Sequence, residues 1–127
     1  MGSVFYEKEK IAENEYSFAV YDKYPVTEGH TLVVPKQEIA DLFALSQEEY
    51  LACFKLVKQV RKILIDVYQP QGFNIGVNNS PVAGQTIPHA HIHIIPRYAD
   101  KATMWTKREI PADDELLQLK QKIKDSF

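Results

Sequence analysis

The sequence has a single cysteine, Cys53, so it can form neither an internal disulfide nor a cysteine-based zinc site. This suits a reducing, cytoplasmic setting. No apolar run approaches the ~20 residues of a membrane span. The first six residues, Met1 to Tyr6, lack the basic and apolar blocks of a secretory signal. Tyr6 also stands where a myristoylation signal wants Ser or Thr. Excess positive charge is missing too: the formal net charge is −2, without the basic stripe of a nucleic-acid binder. A small phosphorylated ligand is not excluded, because oriented backbone N–H groups bind anions without net charge. There is no internal repeat, low-complexity tract or linker. A chain of 127 residues with 45% hydrophobic residues fits one domain with one real core, spanning 1–127.

The periodicities predict an α+β fold. Tyr16, Phe18 and Val20 alternate with Ser17, Ala19 and Tyr21, the period of a strand. Lys23 to Gly29 reads as a turn, and His30 to Val34 as a second strand, antiparallel to the first across so short a connection. Ile39, Leu42 and Phe43 suggest a short helix. A long helix follows, opened by a capping box of Ser46 and Glu49 and closed at Gln69-Pro70-Gln71-Gly72. Its stripe is Cys53, Leu56, Val57, Val60, Ile63, Leu64 and Val67. Lys55, Lys58 and Lys62 share a solvated flank. Phe73 to Asn78 and His89 to Ile95 alternate as further strands. A last amphipathic helix starts near Asp113 and carries Leu116, Leu117 and Ile123. Tyr50, Leu51 and Phe54 widen the long helix's apolar stripe beyond what one small sheet face needs, which predicts a second buried side, in a homodimer. The competing expectation is that the C-terminal helix folds back over it.

Three of the four histidines stand at His89, His91 and His93. At i, i+2 and i+4 of a strand they share a face, which the pattern predicts to be accessible, while Ala90, Ile92 and Ile94 face a core. Such a row reads three ways: a polar outer face, a three-histidine metal site, or imidazole acting as nucleophile and acid–base. The loop from Asn78 to Pro88 runs straight into the row and favours the third. Gly84 permits a tight turn that aims N–H groups at an anion, and the Asn78 amide can donate to a phosphate oxygen, although a turn-capping role also suits it.

The segment Gly84-Gln85-Thr86-Ile87-Pro88-His89-Ala90-His91-Ile92-His93-Ile94-Ile95-Pro96-Arg97 resembles the signature of the histidine triad (HIT) family. Asp22-Lys23-Tyr24-Pro25-Val26-Thr27-Glu28-Gly29-His30-Thr31-Leu32-Val33-Val34-Pro35-Lys36 resembles its second block. The likeness runs from residue 5 to 97 and leaves a variable tail, 98–127, with a helix. It implies an antiparallel sheet of about five strands with two main helices, continuous across a dimer. It also implies hydrolysis or transfer of nucleoside monophosphates through a covalent nucleotidyl-histidine. By that resemblance His91 is the nucleophile and His93 meets the phosphate or leaving group. His89 and His30 orient and tune them, Asp22 binds the ribose, and Asn78, Gln85 and Thr86 bind phosphate. The developing charge is met by N–H donors and a protonated imidazole. The tautomer of His91 is expected to be held by a carbonyl of a neighbouring strand. A protein-bound metal or cofactor is not implied; Mg²⁺ enters, if at all, on the substrate's polyphosphate.

Pro96-Arg97-Tyr98 after the row is similar to the fragile-histidine-triad, or dinucleoside polyphosphate hydrolase, branch. The paired cysteines of zinc-bearing branches and the extension of the DNA-repair branch are missing. The alternatives are a purine nucleoside phosphoramidase, a nucleotide-binding protein with vestigial activity, and a His₃ metal enzyme.

Overall fold

The computed structural model describes residues 2–100 and 112–127. Strands β1 (Ala12–Glu13), β2 (Ser17–Tyr21), β3 (Thr31–Pro35), β4 (Gly72–Gly76) and β5 (Ile92–Arg97) join helices α1 (Gln47–Tyr68) and α2 (Asp113–Lys124). They form one antiparallel sheet in the order β1-β2-β3-β5-β4, the α+β architecture that the alternations predict. β1 is too short to leave a period in the sequence. Of the expected tail, residues 101–111 and the side chain of Leu116 lie outside the described residues.

Helix α1 starts where the sequence says it should. Ser46 Oγ accepts the N–H of Glu49 at 3.2 Å and donates to its carboxylate at 2.9 Å. This satisfies one of the orphan donors of the first turn. The helix ends at Gln69, in a left-handed conformation before Pro70. Cys53, Leu56, Val57, Val60 and Leu64 bury one stripe against Ala19, Val33, Ile92 and Ile94 of the sheet. The stripe is narrower than the sequence reading, since Ile63 and Val67 are exposed. At 100° per residue Ile63 falls on the flank, and Val67 lies in the last turn, beyond the last buried position. Leu117 and Ile123 of α2, which the expectation of a helix folded back over α1 would bury, are exposed.

The other sheet face carries Phe18, Val20, Leu32 and Val34, and the 3-10 turn Val4–Glu7 brings Phe5 down onto them. Fully burying a side chain of this size is worth about 1.5–3 kcal/mol, enough to hold a single turn in place. His91 and His93 lie on this side, because Ile92 and Ile94 take the α1 side.

The turn between β2 and β3 is fastened to the far end of β5. Thr27 Oγ1 donates to the Pro96 carbonyl at 2.6 Å, and Tyr98 OH to that of Glu28 at 2.8 Å. Gly29 N–H reaches Tyr21 OH at 3.1 Å. Gly29 has φ +95°, and a Cβ there would come within 3.0 Å of both Pro96 and Tyr68. Gly29→Ala is therefore expected to destabilise the protein by about 1–3 kcal/mol, read from the midpoint of urea unfolding. A midpoint equal to the wild type would show that the turn relaxes freely.

Candidate active site

The turn and β5 together bring His30 against His93. Every proton in this cluster follows from a backbone partner whose role is certain. Val26 N–H donates to Nδ1 of His30 at 3.0 Å. An imidazole that accepts at Nδ1 must, when neutral, carry its proton on Nε2. That Nε2–H points at Nδ1 of His93, 2.9 Å away, and lies 3.3 Å from Oδ2 of Asp22. His93 therefore accepts at Nδ1 and carries its own proton on Nε2. The other Asp22 oxygen accepts Tyr24 N–H at 2.9 Å.

His91 is held the opposite way. Its Nδ1 donates to the carbonyl of His89 at 2.8 Å, which leaves Nε2 as a bare lone pair. The carbonyl comes from the residue two back in the same segment, not from a neighbouring strand as expected. His89 donates Nε2–H to the Pro35 carbonyl at 2.7 Å. Its Nδ1 is buried without a hydrogen-bond partner. The rings of His91 and His93 are 4.9 Å apart, one offering a lone pair and the other a donor.

The histidine row is not on an accessible face, as its spacing suggests. His89 is fully buried and His91 only 7% exposed. Phe5 packs edge-on against both, 5.5 and 5.0 Å between ring centres, and Tyr6 against His89 at 5.4 Å. Nor do all three sit in the strand, for β5 begins at Ile92. Ala90 N–H leaves the ladder and bonds the Ile39 carbonyl at 2.6 Å. Phe5 is the site residue that the sequence hides, since nothing local marks an aromatic near the N-terminus as a partner of a distant histidine.

Burial, the leading cause in each case, lowers the pKa of His30, His89 and His93, the last to about 4. Repulsion from a proton on His91 or on His30 would add to the shift at His93, and Asp22 opposes it. His93 is thus a neutral donor in the resting protein.

His30 and His93 line a cleft of about 520 Å³ with Val26, Phe73, Ile75, Val77 and Asn78. It is an apolar slot with few polar groups, suited to a planar ring system. Gly84, at φ +94°, leaves room for the Asn78 amide, whose Nδ2 lies 3.4 Å from where a Cβ would stand. Gln85 and Thr86 sit elsewhere. They line a second cavity of about 600 Å³ with Ala40, Asp41, Asn79, Ser80, Pro81 and Pro88. Gln85 is buried and braces the loop: Oε1 accepts Ser80 N–H at 2.9 Å, and Nε2 donates to the Ala40 carbonyl at 3.0 Å.

Among the described residues one group could converge on a metal ion, Asp22, His30 and His93, with ligand atoms within 4.8 Å of one another. The fit is poor, because the Val26 N–H keeps the His30 proton on Nε2, the nitrogen a metal would need. His89, His91 and His93 do not form the His₃ alternative: among the described residues their ring nitrogens do not converge as a ligand set.

Comparison with known proteins agrees with the geometry. The HIT domain model matches residues 6–100, and the chain belongs to that family. An uncharacterised HIT-like protein of Mycoplasma genitalium is 42% identical over 70% of this chain and 63% of its own length. An adenosine 5'-monophosphoramidase of Schizosaccharomyces pombe is 39% identical over 69% of this chain and 63% of its length. An asymmetrical bis(5'-nucleosyl)-tetraphosphatase of the same yeast is 37% identical over 64% and 44%. The chain thus spans less than two thirds of the curated relatives it matches. The crystal structure of a HIT family member from Bacillus subtilis superposes with a TM-score of 0.81, at 28% identity, covering 100% of this chain and 98% of that one.

The lowered histidine pKa values make a prediction about stability. Unfolding returns each group to about 6.5, so below that pH the unfolded chain binds more protons than the folded one. This stability is intact above pH ~6.5 and is lost as pH falls toward about 4, the value of His93. The thermal midpoint should drop across that window, and His93→Gln should flatten the drop. An equal slope in the variant would count against a neutral, buried His93.

Proposed function

We propose that the protein is a nucleotidyl hydrolase that cleaves dinucleoside polyphosphates at the α-phosphate through His91. The observation that carries this is the opposed tautomers of His91 and His93, 4.9 Å apart. His91 Nε2 attacks the α-phosphorus, and the bond to the leaving oxygen breaks. The resulting positive charge on the imidazole is met by the His89 carbonyl at Nδ1–H. His93 Nε2–H donates to the departing oxygen or to a phosphate oxygen. Water then attacks phosphorus, the P–N bond breaks, and the water's proton leaves to solvent. Splitting one displacement into two is what a covalent nucleophile achieves.

The proton positions favour polyphosphate over amine as leaving group. A nucleoside polyphosphate departs as an anion and needs only a hydrogen bond, whereas an amine must take a proton. A neutral His93, locked by His30 against a second proton on Nδ1, supplies the first more readily. The phosphoramidase alternative keeps its support from the identity to the yeast phosphoramidase.

In this reading the apolar cleft takes the base, Asp22 the ribose hydroxyls, and Asn78 and Thr86 the phosphates. Gln85 acts through the loop it braces. The protein itself needs no cofactor, and Mg²⁺ travels with the polyphosphate.

The test is phosphorus NMR on a panel of diadenosine polyphosphates and adenosine phosphoramidate, with the intermediate trapped by mass spectrometry. The polyphosphates should turn over faster, with one nucleoside monophosphate on the His91 peptide. Solvent ¹⁸O should enter the monophosphate. His91→Ala, folded, should lose on the order of 10⁴-fold or more in turnover. A variant retaining a tenth of the activity, or label only in the other product, overturns the mechanism.

The reading includes a homodimer. Phe43, Leu51, Phe54 and Ile65 are exposed on or beside α1, and the rings of Phe43, Tyr50 and Phe54 form one aromatic patch. β4 is an edge strand of the sheet, next to α1 through Arg61 over the Phe73 ring. A two-fold axis covers patch and edge together and makes the sheet continuous. Light scattering on a sizing column should give twice 14.6 kDa, and Phe54→Arg should shift the mass toward one chain. A wild-type mass of one chain at micromolar concentration removes the dimer.

A further inference from the structure

Ser80 stands in the loop between the two cavities with φ +84° and ψ 152°. This corner of conformational space is essentially reserved for glycine, because a Cβ collides there with its own backbone. The neighbours force the conformation. Pro81 pushes the preceding residue's ψ to the extended range. Gln85 Oε1 takes the Ser80 N–H at 2.9 Å, and the Ser80 carbonyl accepts from Ala83 and Gln85 N–H at 3.0 and 3.2 Å. Glycine would meet all of these demands without strain. A hydroxymethyl group is there instead, and it does nothing for the fold. It caps no helix turn and makes no hydrogen bond among the described residues. It is exposed, on the rim of the 600 Å³ cavity.

A strained residue with an idle hydroxyl on the rim of a cavity, two residues from Asn78 of the histidine-lined cleft, is a group kept for a ligand. Asn78, two residues earlier, lines the cleft with His93, so the loop passes from the reacting cluster to the second cavity. The carboxylate in that cavity, Asp41, is engaged by Phe43 N–H, and the Gln85 amide is spent on the loop. We propose that Ser80 is a substrate-binding residue that hydrogen-bonds the departing polyphosphate, beyond the scissile bond, along the second cavity. This rests on the hydrolase reading above and names the subsite that distinguishes its substrates.

Two variants separate hydroxyl from strain. Ser80→Ala keeps the Cβ and loses the hydroxyl; Ser80→Gly loses both. Ser80→Gly should raise the melting temperature by about 2–6 °C, and Ser80→Ala should leave it near the wild type. Both should lower kcat/KM for diadenosine tetraphosphate, and lower it about tenfold or more beyond any change on adenosine 5'-phosphoramidate, whose leaving group is only ammonia. If Ser80→Ala cleaves the tetraphosphate like the wild type, Ser80 binds no leaving group and the proposal falls alone. Equal losses on both substrates overturn it too, by placing the contact on the α-phosphate. A wild-type enzyme that cleaves the phosphoramidate and no polyphosphate overturns the hydrolase reading, and this proposal with it.

Discussion

One backbone donor, the N–H of Val26, decides where the protons of the cluster sit. It occupies Nδ1 of His30, which sends the His30 proton to Nε2, which makes Nδ1 of His93 an acceptor and leaves Nε2 of His93 a donor. Nothing in this chain depends on a charged group being in the right state. It depends on a peptide N–H being within 3.0 Å of a ring nitrogen. The turn that carries Val26 and His30 is in turn held by Thr27, Tyr98 and the close approach of Gly29 to Pro96 and Tyr68. The second lock, His89 carbonyl on His91 Nδ1–H, is independent of the first. Two imidazoles that would interconvert freely in water are thereby set as opposites.

Burial lowers the pKa of these rings, and at His89 it outweighs the Pro35 carbonyl, which acts the other way. Burial disfavours the imidazolium form, and each backbone partner satisfies one tautomer of the neutral ring. The interior therefore holds a histidine cluster with Asp22 as the acid beside His30 and His93. A chain with a formal charge of −2 has no need of a basic patch to host phosphates if N–H dipoles and imidazole donors are already aimed.

Much of this was legible in the sequence, and the rest fails for identifiable reasons. The Ser46–Glu49 cap and the Cys53-to-Leu64 stripe mark α1 because helical signals are local. The alternation around Phe18, Leu32 and Ile94 marks strands for the same reason. The two motif blocks placed His30 with the other three histidines. What failed was long-range. His89 and His91 are buried because Phe5, far upstream, lies on them, and no spacing records that contact. The start of β5 slips to Ile92 because Ala90 bonds Ile39, a residue outside the sheet. Gln85 looks like a phosphate ligand in one dimension, and both of its polar atoms prove to be used inside the chain. Side-chain type shows what a residue can do; only the fold shows which of its atoms are already taken.

Phe5 is attached to the rest of the molecule through one turn of four residues, whereas the sheet beneath it is held by ladders on every strand. Isolated turns open far more often than core strands, in excursions that leave the global fold intact. When that turn lifts, the edge of the aromatic ring leaves both imidazoles and water reaches His89 and His91. Hydrogen exchange of the His91 amide would then follow the undocking of residues 4 to 7 and not the unfolding of the sheet. The surroundings of His91 therefore have a breathing mode of their own, set by the grip of Phe5 and of Tyr6, whose ring meets His89 and whose hydroxyl donates to the Lys36 carbonyl.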